Sequence, residues 1–162
     1  MTPTADRLDV ADICTRMGWH ADRREWDLLQ GLFADRVILD YTSLNGGEPA
    51  DLTPAQIVGG WRGVLGGFDA TQHLIAGHLV TVEGDTAVCT ANFQAVHRLA
   101  NPHGSPLWTL GGTYRFGLVR TADGWRINAL TMTATWADGN QHLMSLAAEA
   151  AAKTKETAGA GA

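Results

Sequence analysis

Cysteine is scarce in this 162-residue sequence. Cys14 and Cys89 are the only two, and they stand in no C-x-x-C or comparable ligand spacing. No cysteine-built zinc site is indicated, and both residues read as small buried apolar side chains. Runs of basic residues are also missing. Twelve Lys and Arg face seventeen Asp and Glu, for a formal charge of −5. That balance lacks the electrostatic footprint of a nucleic-acid or membrane-surface protein. No apolar stretch approaches the length of a membrane span. The opening "MTPTADRLDVADI" is acidic and has no apolar signal core. The expected location is cytoplasmic.

Chemical signatures are sparse too. There is no nucleophile elbow, no metal-ligand spacing and no glycine-rich phosphate loop followed by a helix. The glycines of "GGTYRFG" sit in strand-like sequence and read as a bend or bulge. What remains is 45% hydrophobic and 18% charged, the make-up of one globular domain with a single core. That domain is expected over residues 1–140. A C-terminal helix and a disordered tail, "TKETAGAGA", are expected within 141–162.

The first half reads as helices. Leu8, Val10, Ile13, Met17 and Ala21 recur at helical spacing. "REWDLLQGLFA" gives a second short helix and "RVILDY" a first strand. "TSLNGGEPAD" is a loop rich in turn formers. Thr53, Pro54 and Gln56 form a capping box with proline at the first helical position, opening a helix over "TPAQIVGGWRGVL". The texture then changes to alternation and tight turns. Four long strands follow: "QHLIAGHLVTV", "TAVCTANFQAVHRL", "LWTLGGTYRFGLVR" and "WRINALTMTATW". Helices beside a run of antiparallel strands mean α+β. The expected architecture is a cone-shaped, curved antiparallel sheet wrapped around the N-terminal helices. Such a cone leaves a pocket against its concave face, the default ligand site.

Strand parity sorts the polar groups that could share the pocket. His97 falls on one face with Cys89, Ala91, Phe93 and Ala95. His73 falls with Ile75, Gly77 and Leu79, and His78 on the opposite face. Tyr41 joins Val37 and Leu39 on the apolar side, with Asp40 on the other. Asp22 ends the first helix. Met17, Trp61, Leu65, Phe93, Leu110 and Phe116 are expected apolar walls. Trp19, Trp26, Trp61, Trp125 and Trp136 read most simply as core.

The stretches "ADRREWDLLQGLFADRVILDYTSL", "TQHLIAGH", "VHR" and "GGTYRFGLVRTADGWRI" resemble the SnoaL-like branch of the nuclear-transport-factor-2-like superfamily, closest to scytalone dehydratase-like proteins. The resemblance implies the α+β cone. It also implies a cofactor-free, metal-free lyase acting on a small cyclic or polyketide-like carbonyl compound. On that pattern the family's aspartate falls on Asp22, its first histidine on His73 within "TQH", a tyrosine on Tyr41 within "DY", and its second histidine on His97. His73 would be the base and Asp22 its orienting partner. Tyr41 would polarise the substrate oxygen, and His97 would protonate or position the departing hydroxyl. Three positions depart: Ala21 replaces a second tyrosine, and Gly112 and Tyr114 replace a serine and an asparagine. Tyr114 is retained as a substrate-binding candidate. Hexachlorocyclohexane dehydrochlorinases resemble the chain more weakly through the same Asp–His pair. A cyclase or isomerase in the same pocket, and a non-catalytic ligand-binding module, are the alternatives. The expected partners are a small hydrophobic substrate and further copies of the chain, as a trimer or dimer.

Overall fold

The computed structural model describes residues 3–102 and 104–159. Helix α1 (Pro3–Arg23) is followed by the short α2 (Trp26–Gln30), β1 (Phe33–Asp40), α3 (Thr42–Asn45), β2 (Ala50–Leu52) and α4 (Pro54–Leu65). Four long strands come next: β3 (Ala70–Glu83), β4 (Thr86–Arg98), β5 (Leu107–Thr121) and β6 (Gly124–Gly139). The last element is α5 (Leu143–Gly159). The fold is α+β, with one curved, unclosed six-stranded sheet in the order β2-β1-β6-β5-β4-β3. All neighbours are antiparallel except β1 and β6, which run parallel. That pairing makes the sheet mixed rather than wholly antiparallel. A parallel neighbour requires a long crossover, and the segment from α3 through β5 provides it.

Val10, Cys14, Met17 and Ala21 follow one another at four-, three- and four-residue steps and are all buried, so α1 lays a single stripe on the sheet. Burying a side chain such as Val10 or Met17 is worth about 1.5–3 kcal/mol. Leu8 falls off that stripe and stays exposed. At its first turn α1 is pinned by Asp6, which accepts from Arg120 at 2.8 Å and from the Trp125 indole at 3.3 Å. At its last turns it approaches β3 closely. A Cβ on Gly18 would stand 3.0 Å from the Cβ of His73, so a larger residue there would push helix and strand apart by a few tenths of an ångström.

The expected capping box forms: Gln56 N donates to the Thr53 hydroxyl and Thr53 N donates to the Gln56 side chain. Helix α4 then packs on α5, where Gly67 meets the Ala147 carbonyl with no room for a Cβ.

Several local expectations change. The second helix is only five residues long, and β1 starts at Phe33 rather than Arg36. The loop after Tyr41 contains α3 and β2. On β3, Gly77 adopts φ +70° at a bulge between Ala76 and Leu79. The bulge resets parity, so Leu79 faces solvent and His78 turns inward to Thr15, 3.2 Å away. Trp19 and Trp136 are exposed rather than core, whereas Trp125 is buried. Trp136 lies on the outer face over Gly111, whose missing Cβ makes way for the indole. Helix α5 runs on to Gly159 through most of the stretch expected as a tail. Residues 160–162 lie outside the described residues. Among the described residues, no helix is long and apolar enough to cross a membrane.

Candidate active site

Strand β3 is the sheet's edge, so alternate N–H groups on it lack a strand partner. The end of α1 supplies one. Asp22 Oδ2 accepts the backbone N–H of His73 at 2.7 Å. Asp22 Oδ1 pairs with His73 Nδ1 at 2.6 Å and accepts the Thr71 hydroxyl at 2.8 Å. The carboxylate is therefore clamped through both oxygens. Burial pushes the Asp22 carboxyl up, but the His73 ring and N–H and the Thr71 hydroxyl outweigh it, leaving its pKa below the ordinary value. Asp22 is thus a carboxylate at neutral pH, lying behind His73.

In front of His73 is a cavity of about 380 Å³. Met17 and Ala21 of α1, Trp61 of α4, Phe93 of β4, and Leu110 and Tyr114 of β5 form much of its wall. None of the lining residues is Asp, Glu, Lys or Arg. The polar groups on the inner wall are His73, His97, Tyr41 and Tyr114. Among the described residues, no three His, Cys, Asp or Glu side chains are placed to hold a metal ion.

His97 is 3% exposed, and its Nδ1 is buried without a hydrogen-bond partner. Its ring lies 5.1 Å from Phe68, 5.2 Å from Trp108 and 5.5 Å from His73, nearly perpendicular to the last. Burial, aided by the neighbouring His73, pushes its pKa down to about 4. His97 is therefore neutral at physiological pH. Tyr41 sits at the start of α3 with its ring 6.1 Å from Trp61. The adjacent Asp40 faces away from the cavity and accepts from the Thr42 N–H and hydroxyl. Tyr114 is buried between Phe93, at 4.4 Å, and Phe116, at 5.5 Å. The two tyrosines line the same cavity. Burial raises both, Tyr114 to about 12 and Tyr41 well above its ordinary value.

The structure brings together Asp22, His73, Tyr41 and His97, and it places Met17, Trp61, Leu65, Phe93, Leu110 and Tyr114 on the cavity wall. Phe116 is the exception. It shares Tyr114's face of β5 but lies two residues farther along, where side chains fill the cone, and it is fully buried in the core. Sequence reading missed Thr71, Trp108, Met132 and Met144. Thr71 and Trp108 carried a usable signal, since each lies two residues from a chosen residue on the same strand face. Met144 reaches the cavity only because α5 packs on α4.

The SnoaL-like domain family matches residues 2–131. The chain belongs to this family. Rv2910c of Mycobacterium tuberculosis is 30% identical over 123 residues, covering 76% of this chain and 81% of that one. Among solved structures, Kfla4162 from Kribbella flavida aligns with TM-score 0.84 at 32% identity, covering 89% of this chain and 99% of the other. A putative scytalone dehydratase from Novosphingobium aromaticivorans aligns with TM-score 0.73 at 18% identity, covering 85% and 89%. A type 2 hexachlorocyclohexane dehydrochlorinase aligns with TM-score 0.71 at 14% identity, covering 85% and 90%. At these last two identities the likeness is one of fold. The family's structural neighbours thus include proteins named for elimination chemistry.

Proposed function

We propose that this SnoaL-like protein is a cofactor-independent lyase that eliminates water from a small cyclic carbonyl compound. The observation that carries the reading is the Asp22–His73 contact of 2.6 Å, backing an uncharged cavity. With Nδ1 turned to the carboxylate, Nε2 is the ring nitrogen left for the cavity. In that arrangement His73 Nε2 removes the proton α to the substrate carbonyl, and Asp22 stabilises the imidazolium that results. A positioned base of this kind contributes roughly 10²–10⁴-fold. Tyr41, protonated at any physiological pH, donates to the carbonyl oxygen as negative charge develops there. The carbon–oxygen bond at the β-carbon then breaks, and the His73 imidazolium gives the proton it removed to the departing hydroxyl, which leaves as water and returns His73 to its neutral form. His97 is neutral, so it orients the departing hydroxyl as a hydrogen-bond partner and holds no spare proton.

The test is product analysis on a panel of cyclic β-hydroxy ketones with the wild-type protein and His73→Gln. Loss of one water mass with the wild type, absent in His73→Gln, is the expected result. Products of unchanged mass would mark an isomerase or cyclase. Equal dehydration by both proteins would remove His73 from the chemistry.

A further inference from the structure

We infer that substrate enters the cavity through the gap between α3 and α4, and that Gly60 sets the largest cross-section admitted. The inference concerns access to the cavity used in the proposed function. It rests on where the cavity wall meets solvent. His73 is only 12% exposed, and Phe93, Ala95, His97, Trp108 and Tyr114 are buried on the sheet side. The exposed lining residues are Asn45 at the end of α3, and Gln56 and Gly60 on the outward edge of α4. The wall is therefore closed on the sheet side and open at the rim where Asn45, Gln56 and Gly60 stand.

Helix α4 has three glycines with open space at the Cβ position, Gly59, Gly60 and Gly63, and of these only Gly60 lines the cavity. A Cβ built there would meet nothing within 4 Å, so no packing contact requires glycine. Its φ is not in the left-handed region either. Glycine in a helix interior is disfavoured, and here neither sterics nor backbone conformation explains it. What the missing side chain leaves is width at the mouth. Gln56, one turn earlier, has its carbonyl oxygen held by the capping box, which fixes that side of the opening. The rim carries amides and no charge, matching the uncharged interior. A neutral, ring-sized molecule fits both.

The experiment reads binding rate, so it is independent of turnover. 2-Naphthol is mixed with the protein by stopped flow, following quenching of tryptophan fluorescence, to which Trp61 and Trp108 on the wall report. Gly60→Phe is expected to slow association at least tenfold. Gly59→Phe, on the same helix but off the cavity wall, is expected to stay within twofold of wild type. Because a bulky residue could perturb folding, Gly60→Cys provides a second route. Cys14 and Cys89 are fully buried, so a maleimide label should go to position 60. Labelling is expected to block association that the unlabelled variant retains. Unchanged rates in Gly60→Phe or in the labelled protein, or no naphthol binding to wild type, would overturn the inference. Association reads the doorway and needs no proton removal, whereas product analysis with His73→Gln reads the base. A failed doorway and a failed base therefore give different results.

Discussion

His97 offers the sharpest stability prediction. Folded, it is 3% exposed with a pKa of about 4; unfolded, its imidazole returns to roughly 6.5. Between those values the unfolded chain binds a proton that the folded chain refuses. The stability linked to His97 is therefore complete above about pH 6.5 and drains away as pH falls toward 4. At 1.36 kcal/mol for each pH unit between the two values, the loss is about 3 kcal/mol. For a chain of this size that corresponds to roughly 6–12 °C in melting temperature. The perturbation is His97→Phe, which keeps a ring among Phe68 and Trp108 but removes the titration. The assay is urea or thermal unfolding of both proteins from pH 4.5 to 7.5. Carboxylates such as Asp22 contribute to both slopes and cancel in the comparison. His97→Phe should lose most of the acid-side decline that the wild type shows. At pH 7.5 it should be at least as stable, because a buried unpaired nitrogen costs about 1–3 kcal/mol. Identical pH slopes in the two proteins would refute the reasoning.

Other outcomes follow from the same contacts. Thr71→Val removes one of the hydrogen bonds holding Asp22 down, so turnover should fall about tenfold and the acid limb of the pH–rate profile should move to higher pH. Turnover and profile both unchanged would deny Thr71 a positioning role. Gly63→Ala, at an exposed helical site with nothing within 4 Å of a Cβ, should stabilise the protein by about 0.5–1 kcal/mol in urea titrations. Gly67→Ala has no such room, since its Cβ would clash with the Ala147 carbonyl. It should cost about 1–3 kcal/mol and loosen α5 to proteolysis.

Much of the fold was legible because it rests on periodicities. The α1 stripe, the capping box of α4 and the four long strands follow from residue type and spacing. The polar cluster was legible for the same reason, since strand parity places His97 and Tyr41 on enclosed faces. Parity failed where geometry intervened. Gly77 inserts a bulge that exchanges the roles of His78 and Leu79. The pairing of β1 with β6 joins segments far apart in the chain, which no local pattern encodes. Phe116 was misread because alternation gives a face but not the depth along it. Trp19 and Trp136 were misread because size and apolarity favour burial without requiring it. The tail was read as disordered from its composition, although alanine, lysine and glutamate there also suit the helix that continues through it.

The central claim is that His73, backed by Asp22, removes a carbon-bound proton from a carbonyl compound in the cavity. The most direct measurement is deuterium exchange at the α-carbon of a cyclic ketone in D₂O, followed by proton NMR with the wild type, His73→Gln and Asp22→Asn. It detects proton abstraction even in a ketone without a leaving group. The account predicts catalysed exchange by the wild type, at least a hundredfold slower exchange with Asp22→Asn, and none above background with His73→Gln. Wild-type exchange that persists undiminished in His73→Gln would contradict it.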